Sequence, residues 1–542
     1  MSKSIYLINP SSDFPTYFSA EVYAAQGFQP CTLIADLAIP TLAALTPKDF
    51  TVELCDQNIS PVDFDTDADY IGITGKITQR GQMIRIAREF RRRGKVVLIG
   101  GPYASLSPQC LRSECDILVQ GEVENIAEQL FSDLRNSCWK PEYQGAKSDL
   151  SATPVPLWNA YPNHRAHVGT VQTSRGCPFE CEFCDVIQYL GRKQRHKPPA
   201  LVLAELDELY RLGYRHVFLA DDNFTVYRSR AKELLIALKE WNESRKDGKV
   251  TFDTQVSIDC SKDSEMLRMC SEAGLTEVFI GIETPNELSL QETKKRQNLG
   301  MNLNTQVQQF LDHGIAVTAG MIVGFDSDTP DIFERQYEFG MSLPVPIFSL
   351  GALVAPMATP LHARLANENR LVQGGSEVAA MPWSTNIIPK QMTHAELLEG
   401  VQWLCNSLYD PDAFGERVVN FIDSVNLQEI PRSTAHPNPG PGRDIHSESM
   451  ELVSRFSHLG AKEKTAFDRI LKAIRRKPQV GQQAGAMLAQ YMQIRHMYDR
   501  GGIWKNGQRS SKGSGSGVRS APQPVYDPVP STLPRIPEQP TR

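Results

Sequence analysis

The 542-residue chain has no long apolar run and no strong excess of either charge. No uninterrupted stretch approaches the roughly 18 apolar residues that a membrane-spanning helix needs. The formal net charge of −6 gives no global attraction to nucleic acid or to anionic lipid. The first apolar run, SIYLINP, is typical of a β-strand and not of a signal peptide. We therefore expect a cytoplasmic protein that binds no nucleic acid, with peripheral contact to a membrane left as an open alternative.

The chain also lacks the cysteine pattern of a disulfide-linked protein. Its eleven cysteines are an odd number scattered over a long sequence, whereas disulfide frameworks are typical of short secreted domains. Only Cys177, Cys181 and Cys184 lie close together. The cysteine chemistry of the protein is therefore expected at that one group.

Strand and helix signals alternate through two long parts of the chain. In the first part, short apolar runs such as YIGITG and KVVLIGG end in glycine-containing turns. The second part contains strand–helix repeats that would fill part of a barrel, since a complete eightfold barrel needs about 250 residues. The pattern predicts an α/β protein: a Rossmann-like domain, then a partial (β/α)6 TIM-type barrel, then a helical C-terminal extension.

Composition sets the expected boundaries. The stretch before the second set of repeats has several prolines and little periodicity, which is typical of a linker. The end of the chain has too little apolar content to fold. The predicted divisions are a Rossmann-like domain at 1–145, a linker at 146–168, the barrel at 169–370, a helical cap at 371–430, a helical extension at 431–509 and a disordered tail at 510–542.

Two glycine turns of the first domain are candidate ligand-binding loops. Parallel sheets bind ligands at the carboxyl ends of their strands, and two such ends carry Gly100-Gly101-Pro102 and Gly121-Glu122. The alternative is that these glycines only permit tight turns.

The three clustered cysteines follow the first barrel strand, in TSRGCPFECEFCD at 173–185. Their spacing is C-x3-C-x2-C, and soft thiolates held close together are the ligands of an iron–sulfur cluster. Three ligands leave one iron of a four-iron cluster open, whereas a purely electron-carrying cluster usually has four cysteines. A structural zinc site would need a fourth ligand, and the nearest histidines lack zinc-finger spacing.

This cysteine spacing after the first barrel strand, with Phe183 before the last cysteine, resembles the radical S-adenosylmethionine (SAM) superfamily. The resemblance implies a [4Fe–4S] cluster held by the three cysteines, with SAM bound to the open iron through its amino and carboxylate groups. In that superfamily, reduction of the cluster cleaves SAM to a 5′-deoxyadenosyl radical. The expected cofactors are therefore the cluster and SAM.

Further strand ends of the barrel match SAM contacts of the same superfamily. A carboxylate after the fourth strand would accept hydrogen bonds from the ribose hydroxyls, an acidic turn after the second would contact the amino group, and a glycine after the fifth would approach the adenine. The implied contacts are Phe183 beside the cluster, Gly281 and Glu283, then Asp221, Asp222 and Asn223, and Gly324. Each strand end could instead be an ordinary loop cap.

A Rossmann-like domain before such a barrel resembles the cobalamin-binding subclass, class B methyltransferases included. Gly100-Gly101-Pro102 and Gly121-Glu122 would be the loops over the corrin face. The D-x-H-x-x-G motif for a lower axial histidine is absent, and Asp56-Gln57-Asn58 stands in its place. A degenerate domain without cobalamin is the alternative. Within the barrel, segments 174–193 and 321–333 are similar to the hopanoid C-2 methylase group.

The resemblance implies a cobalamin-dependent radical SAM methyltransferase that methylates an unactivated carbon, as in a hopanoid or another polycyclic lipid. Its partners would be a small-molecule or lipid substrate and an external electron donor such as flavodoxin or ferredoxin. No catalytic side chain is assigned. A cobalamin-dependent radical SAM cyclase of tetrapyrrole or specialised metabolism, and a non-catalytic sensor with a vestigial barrel, are the alternatives.

Overall fold

A computed structural model describes residues 3–372, 381–426 and 445–505. The predicted tail at 510–542, and parts of the predicted cap and extension, lie outside the described residues. The strands are β1 (Lys3–Asn9), β2 (Thr32–Ile34), β3 (Phe50–Asp56), β4 (Tyr70–Thr74), β5 (Val96–Gly100), β6 (Ile117–Gln120), β7 (Glu142–Gln144), β8 (Ala166–Val171), β9 (Ser174–Arg175), β10 (Arg195–His196), β11 (His216–Leu219), β12 (Thr251–Val256), β13 (Leu275–Glu283), β14 (Ala316–Val323) and β15 (Phe348–Ala352).

Helices separate most of these strands and make up the C-terminal part of the described chain. They are α1 (Glu21–Ala25), α2 (Ala38–Leu45), α3 (Arg80–Arg92), α4 (Pro102–Leu106), α5 (Ala127–Arg135), α6 (Val186–Tyr189), α7 (Pro199–Arg211), α8 (Arg228–Glu243), α9 (Ser264–Ala273), α10 (Glu287–Glu292), α11 (Leu303–Asp312), α12 (Ile332–Ser342), α13 (Pro360–Asn367), α14 (His394–Leu408), α15 (Pro411–Ser424), α16 (Ile445–Arg455), α17 (Ala461–Arg476) and α18 (Gly481–Arg500).

The first sheet is parallel, in the order β3-β1-β4-β5-β6-β7. Every residue of the central strand β4 is buried, as expected for a parallel strand that is covered on both faces. On one face, Met83 and Phe90 of α3 pack into a cluster with Ile71 and Ile73 of β4. This arrangement confirms the predicted Rossmann-like α/β architecture.

The second sheet is a curled parallel half-barrel in the order β15-β14-β13-β12-β11-β8-β2. Six of its strands come from the predicted barrel region, which confirms the partial (β/α)6 barrel. The seventh, β2, comes from the first part of the chain and pairs with β8 through Thr32 and Ala166. The two sheets therefore share the N-terminal segment, and the structure differs from a division in which all of residues 1–145 form one domain.

The interior of the half-barrel is open. Gly169 marks the outer face, since a Cβ there would lie 3.2 Å from Leu209 of α7. Val217 pairs with Gly169, faces outward and is 1% exposed. The residues that alternate with these outward ones face inward and stay partly accessible; they include His216, Phe218, Thr251, Asp253, Gln255, Glu277, Phe279 and Gly281. A curled sheet whose inner side chains remain accessible encloses a lumen.

The floor of this lumen is polar. His216 Nε2 lies 3.0 Å from Asp253 Oδ1, and His216 Nδ1 lies 2.7 Å from the hydroxyl of Thr251. Glu277 is the neighbour of Asp253 in the sheet register. Burial, followed by the charge of Asp253, raises the pKa of Glu277 from 4.5 to about 7.

The C-terminal helices pack across the open side of the half-barrel. The hydroxyl of Tyr17 donates to the carbonyl of Leu350 in β15 at 2.9 Å and lies 2.9 Å from the hydroxyl of Tyr498 in α18. Gln493 of α18 donates to the carbonyl of Thr16 at 3.0 Å. One buried wall is therefore formed by the loop after β1, by β15 and by α18. The helices of this region confirm the predicted helical C-terminal extension.

The basic helix α17 uses its apolar face inside the protein. Ala466, Ile470 and Ala473 are fully buried, and Gly415 of α15 lies so close that an added Cβ would come within 2.9 Å of Ala466. This face is therefore covered and is not available to a membrane. Among the described residues, no helix has both the length and the apolar character required to cross a bilayer.

The lumen floor predicts a pH dependence of stability. The folded protein holds the Glu277 proton more tightly than the unfolded chain does, so the stabilisation from this group is present below pH 4.5 and is lost as the pH rises through about 7. We expect Glu277→Gln to remove that loss, so that its melting temperature exceeds that of the wild type at alkaline pH. Melting curves across this range, with the exposed Glu338→Gln as control, check this. An unchanged profile in Glu277→Gln would contradict it.

Candidate active site at the barrel mouth

The clustered cysteines lie on a loop whose base is a short antiparallel hairpin. Ser174 and Arg175 of β9 pair with His196 and Arg195 of β10, and we call residues 176–194 between them the cysteine loop. Gly176 has φ +97°, and a Cβ there would lie 2.8 Å from the carbonyl oxygen of Gly191. A glycine is therefore required where the chain turns into the loop.

The three thiols share one partly buried environment. Burial raises the pKa of Cys177 to about 11 and that of Cys184 to about 12; the charge of Cys181 adds to both shifts, and Lys295 opposes both. Gln297 Nε2 donates to the Cys181 sulfur at 3.6 Å. Since thiolates are the metal ligands, binding of iron must displace these protons.

Within the described ranges, no three histidine, cysteine or carboxylate side chains surround a position for a single metal ion. A four-iron cluster does not need such convergence, because each thiolate binds a separate iron. The donor set of three neighbouring, partly buried thiols fits a cluster of this kind, and the assignment of Cys177, Cys181 and Cys184 as its ligands is a proposal.

Glu283 closes β13 at the mouth of the barrel. It is 5% exposed and has a left-handed backbone at φ +68°, a conformation that non-glycine residues adopt mainly at functional or strained sites. Lys295 Nζ lies 2.7 Å from its carboxylate. Burial alone would lower the pKa of Lys295, but the charge of Glu283 raises it above its usual range. A Cβ on Gly281 would lie 2.8 Å from Lys295 Nζ, so this pair needs glycine beside it.

The acidic turn after β11 holds the cysteine loop in place. Asp221 accepts hydrogen bonds from the backbone N–H groups of Thr173 and Ser174, both at 2.8 Å, and from the hydroxyl of Thr173. Asp222 accepts from the Gly176 N–H at 2.9 Å. Asp221, predicted to contact the amino group of SAM, is thus engaged by the backbone of the loop.

Asn223 retains an open acceptor. Its side-chain nitrogen donates to the hydroxyl of Ser257 at 3.0 Å, while its Oδ1 is buried and accepts no hydrogen bond within the described part of the chain. A buried acceptor of this kind at the second strand end fits an ammonium group such as that of SAM. The predicted SAM contacts at Asp222 and Asn223 remain proposals.

Gly324 and Phe183 lie at the same mouth, but the structure shows what each already contacts. Gly324 has φ +103°, its N–H donates to Asp328 at 3.0 Å, and a Cβ there would lie 2.9 Å from Leu397 of α14. Lys295 Nζ lies 5.9 Å from the centre of the Phe183 ring. Gly324 is therefore required for close packing of α14, and its proposed contact with adenine is untested.

The glycine turns of the first sheet lie at its carboxyl edge, as expected. Gly101 has φ +92°, and a Cβ on it would lie 2.9 Å from the N–H nitrogen of Gly75. Gly100 ends β5 and Pro102 begins α4. Gly121 has φ +73° and lies against Gly145. Turns with so little side-chain bulk fit a flat corrinoid. The positive φ angles and close backbone contacts of Gly101 and Gly121 also require glycine at those positions.

Glu122 does not offer its carboxylate to a corrinoid. It is buried and bound by Arg195 at 2.6 and 2.7 Å, by Arg175 at 3.0 Å and by the Ser148 N–H at 3.0 Å. Burial opposes its ionisation, but Arg195 and its other partners hold the pKa of Glu122 below its usual value. The structure thus places the Glu122 carboxylate between the two domains, and the contact of the Gly121-Glu122 turn with cobalamin stays a prediction.

Asp56 is similarly engaged. It lies at the end of β3, where a cobalamin axial-histidine motif would begin, and accepts from the Tyr161 hydroxyl at 2.5 Å and from the Asn58 N–H at 3.0 Å. Its neighbours therefore satisfy this carboxylate, and the segment contains no histidine.

Sequence reasoning missed the residues that approach the cysteines and carboxylates from other parts of the chain. Lys295 and Gln297 lie on the segment after α10, and Arg175 and Arg195 flank the cysteine loop. Arg175, two residues before Cys177, was the available signal, because an arginine beside the cysteine cluster needs a partner once it is largely buried.

Comparison with known proteins agrees with this site. The family model for the radical SAM superfamily matches residues 171–339, which contain the cysteine loop and β11 to β14. A model for a domain of unknown function matches residues 359–500.

Curated relatives with methyltransferase or methylase names include the following two. The uncharacterized methyltransferase sll1242 of Synechocystis sp. is 35% identical over 71% of this chain and 72% of its own length. The hopanoid C-2 methylase of Rhodopseudomonas palustris is 32% identical over 61% of this chain and 64% of its own length. Among solved structures, the radical SAM methyltransferase TsrM of Kitasatospora setae, with cobalamin and a [4Fe–4S] cluster bound, has a TM-score of 0.57 at 16% identity over 88% of this chain and 99% of its own.

The half-barrel and its cysteine loop define a radical SAM enzyme, with a [4Fe–4S] cluster and SAM as the cofactors of that class. Within the class, the chain belongs to the family that includes the methyltransferase sll1242. The predicted resemblance is confirmed.

The assignment of the three cysteines as cluster ligands predicts that the protein loses its iron when any one of them is replaced. Replacing Cys177, Cys181 or Cys184 singly by alanine should lower the iron content after anaerobic reconstitution from about four atoms per chain to near zero. The exposed Cys138→Ala is the matched control and should keep its iron. Iron analysis with the visible absorption spectrum measures both. Full iron content in any of the three variants would remove that cysteine from the ligand set.

Proposed function

We propose that the protein is a cobalamin-dependent radical SAM methyltransferase that adds a methyl group to an unactivated carbon of a polycyclic lipid, a hopanoid being the first candidate. The arrangement that carries the proposal is the cysteine loop and Glu283 at the barrel mouth, next to the glycine-lined carboxyl edge of the first sheet. The Glu122–Arg175 contact of 3.0 Å joins these two edges directly. The methyltransferase names of the relatives and the cobalamin in TsrM support it.

When bound, the cluster and SAM supply a radical that removes hydrogen from an unactivated carbon, and the corrinoid supplies the methyl group. The residues of the chain bind and position these groups. Cys177, Cys181 and Cys184 would hold the cluster, Glu283 would accept hydrogen bonds from the SAM ribose, and the turns at Gly101 and Gly121 would lie along the corrin. An external electron donor such as flavodoxin or ferredoxin would reduce the cluster.

The lumen supports the lipid assignment. Its middle section is aromatic: the Phe18 ring lies 5.8 Å from that of Phe279, and Phe18 is 42% exposed although it contacts an inward residue of β13. Closer to the mouth the wall carries small residues, with Gly281 beside Gly320 in the register and Gly351 on β15. A wall with these aromatic and small residues, above a polar floor, suits a flat, largely apolar molecule with one polar end.

Label transfer tests the reaction. A strain without the gene and its parent are both grown on methionine with a deuterated methyl group, and their lipids and pigments are compared by mass spectrometry. We expect a labelled methylated polycyclic lipid in the parent alone. A labelled tetrapyrrole would correct the substrate. A cyclised product without label, and without S-adenosylhomocysteine from the purified enzyme, would replace methyl transfer by the cyclase alternative.

Gly351 offers a direct test of the lumen as the substrate pocket. A Cβ on Gly351 meets no atom within 4 Å, so Gly351→Leu should fold normally while it fills the lumen. We expect methylation to fall at least about tenfold, as for lost shape fit in an apolar pocket, while SAM cleavage to 5′-deoxyadenosine continues.

The matched control is Gly485→Leu on α18, where a Cβ also meets no atom within 4 Å; both products should keep their wild-type yield. Chromatography of the two products from one reaction gives the ratio. Equal methylation by Gly351→Leu and the wild type would place the substrate outside the lumen.

A further inference from the structure

Two arginines face each other at the base of the cysteine loop. Arg175 of β9 and Arg195 of β10 are direct partners in the hairpin register. Like charges opposite each other on neighbouring strands repel. Both side chains are largely buried, at 13% and 16% exposure, so water screens this repulsion little. A hairpin of two residues per strand therefore needs an external anion to close.

The first domain supplies that anion. The Glu122 carboxylate is 2% exposed and bridges the two guanidinium groups, with Arg195 Nη2 at 2.6 Å from Oε1 and Arg175 Nη1 at 3.0 Å from Oε2. Glu124 binds Arg175 from the same segment at 2.6 Å. Two carboxylates after β6 thus balance two arginines at the base of the cysteine loop, and none of the four side chains is more than 16% exposed.

The barrel and the first domain hold different parts of the loop base. The barrel binds the incoming arm by backbone contacts, through Asp221 and Asp222. The first domain binds both arms, because Glu122 reaches Arg175 on one and Arg195 on the other. The Ser148 N–H also donates to Glu122, which adds the start of the predicted linker to the same carboxylate.

We propose that Glu122 is a positioning residue that closes the base of the cysteine loop only when the first domain is seated on the barrel mouth. This inference rests on the proposed role of the three cysteines as cluster ligands. Through Glu122, the spacing between the glycine turns of the first sheet and the cluster is fixed. Without Glu122, Glu124 still binds Arg175, but Arg195 loses the carboxylate that compensates its charge opposite Arg175, and the hairpin opens.

Hydrogen exchange and electron paramagnetic resonance (EPR) test this on the full chain. In Glu122→Gln, which keeps the shape and removes the charge, the amides of residues 174–197 should exchange about tenfold faster, as expected for a lost hydrogen bond between charged groups. The reduced cluster should give a broadened EPR signal at lower yield. Glu142→Gln is the matched control, because Glu142 lies on the neighbouring strand β7 and forms an exposed ion pair with Arg112. This variant should behave as the wild type.

Three further variants keep the test decisive. If Glu122→Gln folds poorly, Glu122→Asp retains the charge but shortens its reach, and the same exchange increase is expected. Glu122→Arg with Arg195→Glu restores one reversed ion pair and should recover part of the protection that Glu122→Arg alone loses. Unchanged exchange across residues 174–197 in both Glu122→Gln and Glu122→Asp would overturn the proposal.

The two hypotheses fail in different ways. If the wild type takes up no iron, the cluster assignment fails, while exchange measured on metal-free protein still tests Glu122. If iron is bound but the loop is equally protected in all variants, only the positioning role fails.

Discussion

The position of the cysteine loop is set by buried carboxylates that lie on both sides of it. Asp221 and Asp222 bind its first arm from the barrel, and Glu122 binds both arms from the first domain. A buried carboxylate persists only when hydrogen bonds and opposite charges compensate its lost hydration. Each of these carboxylates therefore holds its partners firmly, and together they fix the position of the cysteines between the two sheets.

The same constraint explains the glycines around the site. Gly176, Gly281 and Gly121 each stand where a side chain would meet backbone or a charged group. Close approach of the loop to its supports needs these positions to be small, and the charged groups then pair at hydrogen-bond distance. Charge compensation and the absence of side chains are thus two parts of one arrangement.

Local pattern predicted much of the fold and the centre of the site. Short apolar runs that alternate with helical segments, among them those of β11 and β12, predicted parallel strands and the half-barrel. The cysteine spacing predicted the loop, and the carboxylate that ends β13 predicted the place of Glu283. Each of these signals is contained in a short stretch of sequence, and over such a stretch the spacing of side chains indicates the local structure.

Contacts between distant segments could not be predicted in this way. β2 joins the second sheet across more than a hundred residues of sequence, Lys295 reaches Glu283 from the segment after α10, and Glu122 meets Arg195 from another domain. The side-chain pattern of one segment does not indicate which distant residue will pair with a charged side chain of that segment. The assignment of Glu122 to a corrinoid loop followed from its place at a strand end, and only the packed structure shows its arginine partners.

The central claim is that three cysteines hold a cluster whose remaining iron is open to SAM. The most direct test is the EPR spectrum of the reduced, reconstituted protein, recorded with and without SAM. The account predicts that SAM shifts the spectrum, because its amino and carboxylate groups bind the open iron. A spectrum that is unchanged when SAM is shown by equilibrium dialysis to be bound would contradict an open iron and, with it, the proposed radical chemistry.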